Sequence, residues 1–491
     1  MKNPHQKDFR AFIRFLKEPA QRNELIIFSG LFILIGVVFH IYYPFPFTYP
    51  DSGMYVLSAK EGVFNIYRPM GYSSYLNLAH IFGSGPTVLF IVSSILNALS
   101  LLFILFSAKY LFNIKNRILF YLISLAAILS PRIIFCTNFI MSDGIFNTLM
   151  IFYIATAMWI VFSRNFWWIV IHVLIFIFLF NVRYSGFVVF PISMIAFFFS
   201  YKDKNKKAAS AMALIPLLIS GMLYVSVKTE YTEQTKVDTF SGFGGWQLIN
   251  NASVLFPEAK EINSNELTNK NNLRDLHLFL QQYPDSIFKS SHTMETAYMW
   301  ERDLPYKQFL SYYIYAKNIG YERGWVEAGA IYEKYANMLI RKYPGRYFSR
   351  YIIPSFLSNF KCHPISEEST VFKNEPIYRD YFGIQEETFT YNHHFFYNLT
   401  PARKIVNYVY WIILGLCVGY FCVTQLRKRI PHKTERTAAG LILAFLVIYL
   451  AGLAIASPST TWRYTMPMYI PSLVFMLFCF SDFIDRHQGD H

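Results

Sequence analysis

Ten apolar stretches, each close to the roughly 20 residues that cross a lipid bilayer, constrain this chain more than any other feature. A backbone in lipid must satisfy its own hydrogen bonds, so we expect each stretch to be a helix. This pattern predicts an all-α polytopic membrane protein with a transmembrane bundle of about ten helices. The stretches lie near residues 25–43, 87–108, 118–137, 145–163, 166–182, 185–200, 208–227, 404–425, 437–456 and 464–482.

The composition agrees with a membrane protein. Hydrophobic residues make up 54% and charged residues 15% of the 491 positions, which is too apolar for a soluble globular chain. Aromatic residues reach 19%, and Tyr and Trp favour membrane interfaces. Of five cysteines, all but Cys362 lie inside apolar stretches, so no disulfide framework or zinc spacing is recognisable.

The formal charge of +14 reflects topology rather than a nucleic-acid partner, because the basic residues cluster between spans. Placing every cluster in the cytoplasm threads the chain consistently through the plasma (inner) membrane, with both termini cytoplasmic. We expect the first apolar stretch to be a span, since no small-x-small cleavage site follows it. The clusters are Lys2 to Arg22, Lys109 to Arg117, Arg164, Lys202 to Lys207 and Arg427 to Arg436.

This threading divides the chain into four parts. Residues 1–24 are a cytoplasmic N-terminus, and residues 25–227 are a transmembrane core with a first outer loop at 44–86. Residues 228–403 are a mostly helical extracytoplasmic domain, and residues 404–491 carry the C-terminal transmembrane helices. In the outer domain, the glycine and aromatic stretch 240–246 is of the kind that packs on sugar rings, and we interpret 345–360 as interfacial.

Four polar segments fall on the same outer face: the first loop, Met141–Gly144, Asn181–Tyr184 and residues 457–464. Within the loop, Asp51 or Ser52 is placed to cap a helix that Gly62 ends. A second helix is predicted from Pro69 to the Gly83 region. The threading therefore gathers the side chains of these segments on one side of the membrane.

The order of these motifs resembles the GT-C membrane glycosyltransferases. The pattern is an outer-loop Asp after the first span, Arg-Pro-x-Gly-Tyr at 68–72, Ser-Asp-Gly at 142–144, Asn-x-Arg-x-x-Gly at 181–186 and Arg-Tyr-x-x-Pro at 463–467. It is most similar to the branch of protein O-mannosyltransferases and lipid A aminoarabinose transferase. The resemblance covers residues 25–200 and 436–482, and the outer domain has no counterpart in it.

The resemblance implies a transferase that takes a sugar from a polyprenyl-phosphate donor in the outer leaflet. The acceptor would be an extracytoplasmic glycan, lipid or protein, and the other partners would be membrane lipids. In that family the first-loop acidic residue is catalytic, and Asp51 matches it. The chain has no Trp-Trp-Asp motif, which argues against the oligosaccharyltransferase branch and against an obligatory metal. We expect no metal and no cofactor beyond the lipid-linked sugar.

The chemistry is consistent with a single carboxylate. Inverting transfer needs a general base for the acceptor hydroxyl, whereas the polyprenyl phosphate leaves as a stable anion and requires no general acid. Arginine suits the phosphate through its planar set of donors. We expect Asp51 to be the base. The candidates for binding the donor phosphate are, in order, Arg463, Arg183, Arg68 and Arg132. Those for acceptor binding or support are Asp143, Tyr55, Tyr72 and Tyr464.

Simpler structural roles remain open for each of these residues. Asp51 and Asp143 both precede helices and are placed to act as caps, and Arg183 is placed to snorkel to lipid headgroups. Arg68 and Arg132 are placed to pair with Asp51 or Asp143 and so hold the loops together. The adjacent His393 and His394 are more typical of surface residues than of a metal site.

Two other classes of protein also remain open. An O-antigen or polysaccharide polymerase or ligase would have many spans and outer arginines but would not need the first-loop Asp. A transporter would show repeated halves and charges in the middle of its spans, and the sequence shows no internal repeat.

Overall fold

The computed structural model describes residues 7–163, 165–202, 205–263, 267, 271–289, 299–361, 371–391, 400–426, 433–457 and 462–488. Through these ranges the chain is almost entirely helical. The first eleven helices are α1 Phe9–Lys17, α2 Pro19–Tyr42, α3 Ser52–Glu61, α4 Gly71–His80, α5 Pro86–Leu111, α6 Arg117–Ile128, α7 Pro131–Cys136, α8 Ser142–Ser163, α9 Phe166–Val182, α10 Phe190–Tyr201 and α11 Lys206–Thr235.

Shorter helices follow in the middle of the chain, with two short strands, and three long helices end it. The middle elements are α12 Gly242–Ala252, α13 Phe256–Ala259, α14 Asn271–Gln281, α15 Asp285–Lys289, α16 Pro305–Lys317, α17 Tyr321–Lys342, α18 Pro344–Tyr347, α19 Ile353–Ser358, β1 Val371–Lys373, α20 Pro376–Phe382 and β2 Thr388–Thr390. The last three helices are α21 Thr400–Leu426, α22 Lys433–Ala456 and α23 Trp462–Gln488.

The helices confirm the all-α, polytopic class predicted from the sequence. In the part of the chain that the structure describes, nine helices are long and apolar enough to cross a membrane. They match nine of the ten predicted spans, and the tenth, α9, is a shorter apolar helix. The chain is therefore an integral membrane protein.

Helix α8 lies at the centre of the bundle and is the most buried of the candidate spans. Helices α5, α9, α10, α22 and α23 pack on it. In lipid such packing stabilises by close van der Waals contact more than by the hydrophobic effect. Because α8 begins at Ser142, the side chains of its first turn lie where several helix ends meet.

The two ends of the bundle have different side chains. Near the end of α8, the Trp159 indole donates to Ser107 of α5 at 2.8 Å and packs on Phe12 of α1. Glu24 of α2 is fully buried there in an ion pair with Lys109. A buried charge is tolerated only with such a partner. The loops that follow α2, α7 and α9 lie at the opposite end.

The middle helices form a second core beside that opposite end. Helices α12 and α17 approach each other so closely that a Cβ atom on Gly245 would overlap the backbone carbonyl of Gly329. This unit is attached to the first loop through Tyr231, whose hydroxyl donates to the carbonyl of Ile66. It is attached to the membrane helices through Asn251, which donates to the carbonyl of Ile455 at 3.3 Å. The middle helices are therefore in direct contact with the first loop and with the membrane helices.

The antiparallel strands β1 and β2 form a small hairpin on the other side of the first loop. Phe372 pairs with Phe389 in its register. The Phe372 ring also stacks on Phe45 at 5.2 Å, so the hairpin covers the beginning of the loop. The division of the chain at residues 228 and 403 and the interfacial placement of 345–360 stay predictions; α19 lies within the latter range and α18 overlaps its beginning.

Candidate functional site

The predicted first-loop helix is confirmed as α3, but the role of Asp51 in it differs from the expected cap. Asp51 stands at the N-cap position, and its side chain accepts no capping hydrogen bond. Its Oδ2 accepts instead from Arg68, at 2.8 Å from one terminal guanidinium nitrogen and 3.2 Å from Nε. Both hydrogen bonds go to Oδ2, and within the described residues no hydrogen bond to Oδ1 is found. The Asp51 side chain is 27% exposed.

Ser52 fixes the turn that carries Asp51, and it too is not a conventional cap. Its buried hydroxyl accepts from the Tyr49 N–H at 2.8 Å and donates to the Ile140 carbonyl at 2.7 Å. The backbone beside it pairs Phe47 with Asn138 and Ile140. These contacts attach the loop to the segment directly before α8, which brings Asp51 close to Asp143.

A tight turn positions Arg68. The Asn65 side-chain oxygen accepts the backbone N–H groups of Tyr67 and Arg68 at 2.9 and 3.0 Å. Pro69 and Met70 follow this turn, and the second loop helix, α4, begins at Gly71 rather than at Pro69. A Cβ atom on Gly71 would overlap the carbonyl of Asn181, so only glycine lets α4 begin against the end of α9. The Arg-Pro-x-Gly spacing thus brings Arg68 to the loop that carries Arg183.

A second carboxylate lies in the first turn of α8. Asp143 is 3% exposed and forms an ion pair through Oδ1 with Arg183. Its Oδ2 lies 3.7 Å from a guanidinium nitrogen of Arg463. The two arginines come from the break after α9 and from the start of α23. Gly144 lets the end of α7 pack closely against this first turn of α8, since a Cβ atom on Gly144 would lie 2.5 Å from the Cys136 carbonyl.

Tyr55 lies between the two acid–arginine groups. Its hydroxyl donates to Ser142 at 3.2 Å, and its ring packs edge-on against Tyr72 at 4.8 Å. Burial raises the pKa of the Tyr55 phenol, and the charges of Arg68 and Asp51 act on the same group. The charge of Arg68 also reaches Asp143. The residues therefore form one electrostatic cluster, in which three arginines face two carboxylates and positive charge is in excess.

Aromatic rings hold the three guanidinium groups in place. Arg463 lies 4.1 Å from the centre of the Tyr49 ring, and Arg183 lies 5.6 Å from that of Tyr464. Arg68 lies 4.4 Å from the centre of the Phe243 ring, which belongs to α12. Such cation–π contacts stabilise a guanidinium group while its N–H edge stays available for hydrogen bonds.

The candidate residues therefore separate into three groups. Asp51, Arg68, Asp143, Arg183 and Arg463 come together with Tyr55 and Tyr464 in one cluster. Tyr72 is buried and donates to the Phe139 carbonyl at 3.3 Å, which is a supporting role. Arg132 lies elsewhere: it donates to Asn407 of α21 at 3.3 Å.

Sequence reasoning did not single out Tyr49, Phe243 or Asn65 as parts of the cluster. Tyr49 and Phe243 lie in segments that it examined, but no spacing rule connects a ring with an arginine far along the chain. Asn65 carries a recognisable signal, because Asn side chains accept from the backbone two residues on in tight turns. His393 and His394 lie outside the described residues. Within those residues, no three His, Cys, Asp or Glu side chains gather into a possible metal site.

Comparison with known proteins assigns no family to the chain. No protein-family model matches it, and no curated protein matches it. Among solved structures, it is similar to the archaeal oligosaccharyltransferase AglB from Archaeoglobus fulgidus in complex with an inhibitory peptide and a dolichol-phosphate. The identity is 12%, the TM-score is 0.44, and the match covers 94% of this chain and 50% of that one. The chain thus spans about half the length of that protein. A likeness this weak does not support any conclusion about function, which must come from the side chains of the cluster.

Proposed function

We propose that this protein is a glycosyltransferase that moves a sugar from a polyprenyl-phosphate donor to an extracytoplasmic acceptor, with inversion at the anomeric carbon. One observation carries the proposal. Of the two carboxylates in the cluster, Asp143 is buried between arginines, whereas Asp51 is 27% exposed and receives both of its hydrogen bonds from Arg68 on one oxygen. A single accessible carboxylate beside an excess of arginine is the arrangement that this reaction needs.

Asp51 acts as the general base in this scheme. The acceptor hydroxyl transfers its proton to Asp51 as its oxygen forms a bond to the anomeric carbon. The bond from that carbon to the phosphate oxygen breaks, and the electron pair leaves on the polyprenyl phosphate. No general acid is needed, since the leaving group is already a weak base. Paired carboxylates, as in glycosidases, are therefore unnecessary.

Arg183 and Arg463 bind the phosphate in this scheme, and Asp143 positions them. Departure of the phosphate increases its negative charge, and preorganised cations stabilise such developing charge without rearranging. Asp143 is paired with both arginines, and its single negative charge leaves one of their two positive charges unbalanced. Arg68, which is paired with Asp51, orients the base.

The site lies on the extracytoplasmic side in this proposal, with both termini in the cytoplasm. The cluster is found at the end of the bundle opposite to Lys109 and Arg117, which contact Glu24. Basic residues favour the cytoplasmic side of a membrane. The opposite end, with Asp51, then faces outward, where a lipid-linked sugar is presented to acceptors.

Mass spectrometry of surface glycans tests the proposal in a strain that lacks the gene. Complementation with the wild-type chain should restore one sugar substituent, and the Asp51→Asn variant should not restore it. Asp380→Asn is the matched control, because Asp380 is an exposed carboxylate of the same region, paired with Lys60. Restoration by Asp51→Asn would favour the polymerase or ligase class, which needs no such base. Glycans that are identical with and without the gene would contradict transfer altogether.

A further inference from the structure

Three tryptophans of the outer helices form a continuous stack. The rings of Trp246 and Trp325 lie 3.9 Å apart and nearly parallel, at 8°. Trp300 stacks on Trp325 at 5.1 Å and 13°. Trp246 and Trp325 are fully buried, whereas Trp300 is 39% exposed. The stack is therefore buried at one end and open to solvent at the other.

Phe243 connects the open end of this stack to the candidate site. Its ring lies 6.0 Å from that of Trp300, with 25° between the planes. Phe243 also contacts the Arg68 guanidinium, 4.4 Å from the centre of its ring, and Arg68 in turn holds Asp51. Tyr67, next to Arg68 in the chain, also packs against Trp300, at 6.2 Å. A molecule lying on Trp300 and Phe243 is thus next to the residue that orients the proposed base.

Polar groups lie beside these rings. The Lys307 ammonium group lies over the Trp300 and Trp325 rings, 5.3 and 4.3 Å from their centres, and donates to the Tyr321 hydroxyl at 2.9 Å. An ammonium group has three donors, so others are available to a ligand. Tyr321 is itself 48% exposed. The surface therefore combines flat apolar faces with hydrogen-bonding groups at their border.

This combination matches a sugar ring better than a lipid chain or a peptide. A pyranose has an apolar face of C–H groups and a border of hydroxyl groups, so it stacks on an aromatic ring while its edge makes hydrogen bonds. A polyprenyl chain has no polar border for Lys307 and Tyr321 to bind. Binding sites of this kind use aromatic walls for contact and a few polar groups for orientation.

We propose that Phe243, Trp300, Lys307 and Tyr321 form the subsite for the acceptor, and that the acceptor is a saccharide. This inference rests on the proposed function, because it names the acceptor of the same reaction. The subsite holds the sugar ring so that one of its hydroxyl groups, or one on the next ring, reaches the carboxylate of Asp51. The stack behind it, Trp325 and Trp246, keeps Trp300 rigid.

A purely structural role for the rings is the alternative. In that case the stack only anchors the turn at Tyr67 and Arg68 to the outer helices. Such anchoring accounts for the buried Trp246 and Trp325. It does not account for Trp300, whose exposed face adds little to the packing of the turn. Replacing Trp300 separates the two roles.

The experiment compares Trp300→Ala with Trp300→Phe and uses Trp167→Ala as the matched control. Trp167 is 67% exposed and lies at the start of α9, at the end of the bundle away from the site. In the strain lacking the gene, Trp300→Ala should give no more than about a tenth of the wild-type amount of product. Trp300→Phe retains a stacking ring and should give most of the wild-type amount. Trp167→Ala should match the wild type. Binding of polyprenyl phosphate should be unchanged in all three.

A binding measurement keeps this inference distinct from the proposed function. The probe is the unmodified surface polysaccharide from the strain lacking the gene. It should quench the tryptophan fluorescence of purified Asp51→Asn protein, and the double variant Asp51→Asn/Trp300→Ala should bind it about tenfold more weakly. Equal binding by both proteins overturns the saccharide subsite. A product in which a protein side chain or a sugar-free lipid carries the new sugar also overturns it. If Asp51→Asn keeps transferring sugar while the probe still depends on Trp300, the base assignment fails and the subsite stands.

Discussion

The two acidic residues of the cluster carry the same functional group in different surroundings. Asp143 is buried and is paired with Arg183 and Arg463. Asp51 is 27% exposed and receives its hydrogen bonds from Arg68 on one oxygen, and in the proposed mechanism it takes the proton of the acceptor hydroxyl. Environment separates carboxylates in this way in other enzymes that use two of them. The sequence placed both residues at helix starts, where capping remained open for each; the side-chain contacts show that Asp51 does not cap α3.

Substitution of Arg463 tests the phosphate site at the level of one residue. Arg463→Ala should weaken the binding of polyprenyl phosphate about 10- to 100-fold, because it removes a charge-assisted hydrogen-bond donor. Microscale thermophoresis of the purified protein with polyprenyl phosphate measures this. Arg379→Ala is the control, since Arg379 is an exposed arginine of α20. Unchanged affinity in Arg463→Ala would remove Arg463 from the donor site.

At the level of elements, apolar stretches and turn signals were sufficient to predict most helices. The predicted helix at 52–61 agrees with α3, and Gly62 ends it in the left-handed conformation, with φ 67°. The beginning of α4 was predicted two residues early, at Pro69. The turn formed by Asn65 directly precedes those residues, and it depends on a side-chain contact rather than on helix propensity. Periodicity does not report such contacts.

Gly71 tests whether the contact between α4 and α9 sets the geometry of the site. Gly71→Ala places a methyl group against the Asn181 backbone, which cannot move aside as a flexible side chain would. We expect a loss of about 1–3 kcal/mol of stability and lower transfer activity, because Arg68 shifts relative to Arg183. Thermal unfolding in detergent and the glycan assay measure these effects. Gly30→Ala is the control, since a Cβ atom there meets nothing within 4 Å. Identical behaviour of the two variants would contradict this role of Gly71.

At the level of the whole molecule, charge placement separates the two ends of the bundle. The sequence predicted this separation from the basic clusters alone, and the contacts of Glu24 with Lys109 and Arg117 join three helix ends on one side. The sequence did not predict which helices pack on α8 or how the middle helices contact the first loop. Both depend on contacts between residues far apart in the chain, such as Tyr231 with Ile66.

Cysteine labelling tests the orientation of the whole molecule. In a background without the native cysteines, Asp380→Cys should react with a membrane-impermeant maleimide in intact cells, because α20 lies at the proposed outer end. Lys17→Cys, at the end of α1, should react only after permeabilisation. The reverse pattern would place the cluster in the cytoplasm and contradict an extracytoplasmic active site.

The most direct test of the central claim is the rate of sugar transfer by purified Asp51→Asn, measured together with its affinity for polyprenyl phosphate. If Asp51 is the general base, transfer falls by about 10²- to 10⁴-fold, while the affinity stays within a factor of about three of the wild type. Transfer within a factor of ten of the wild-type rate would show that Asp51 does not take the proton.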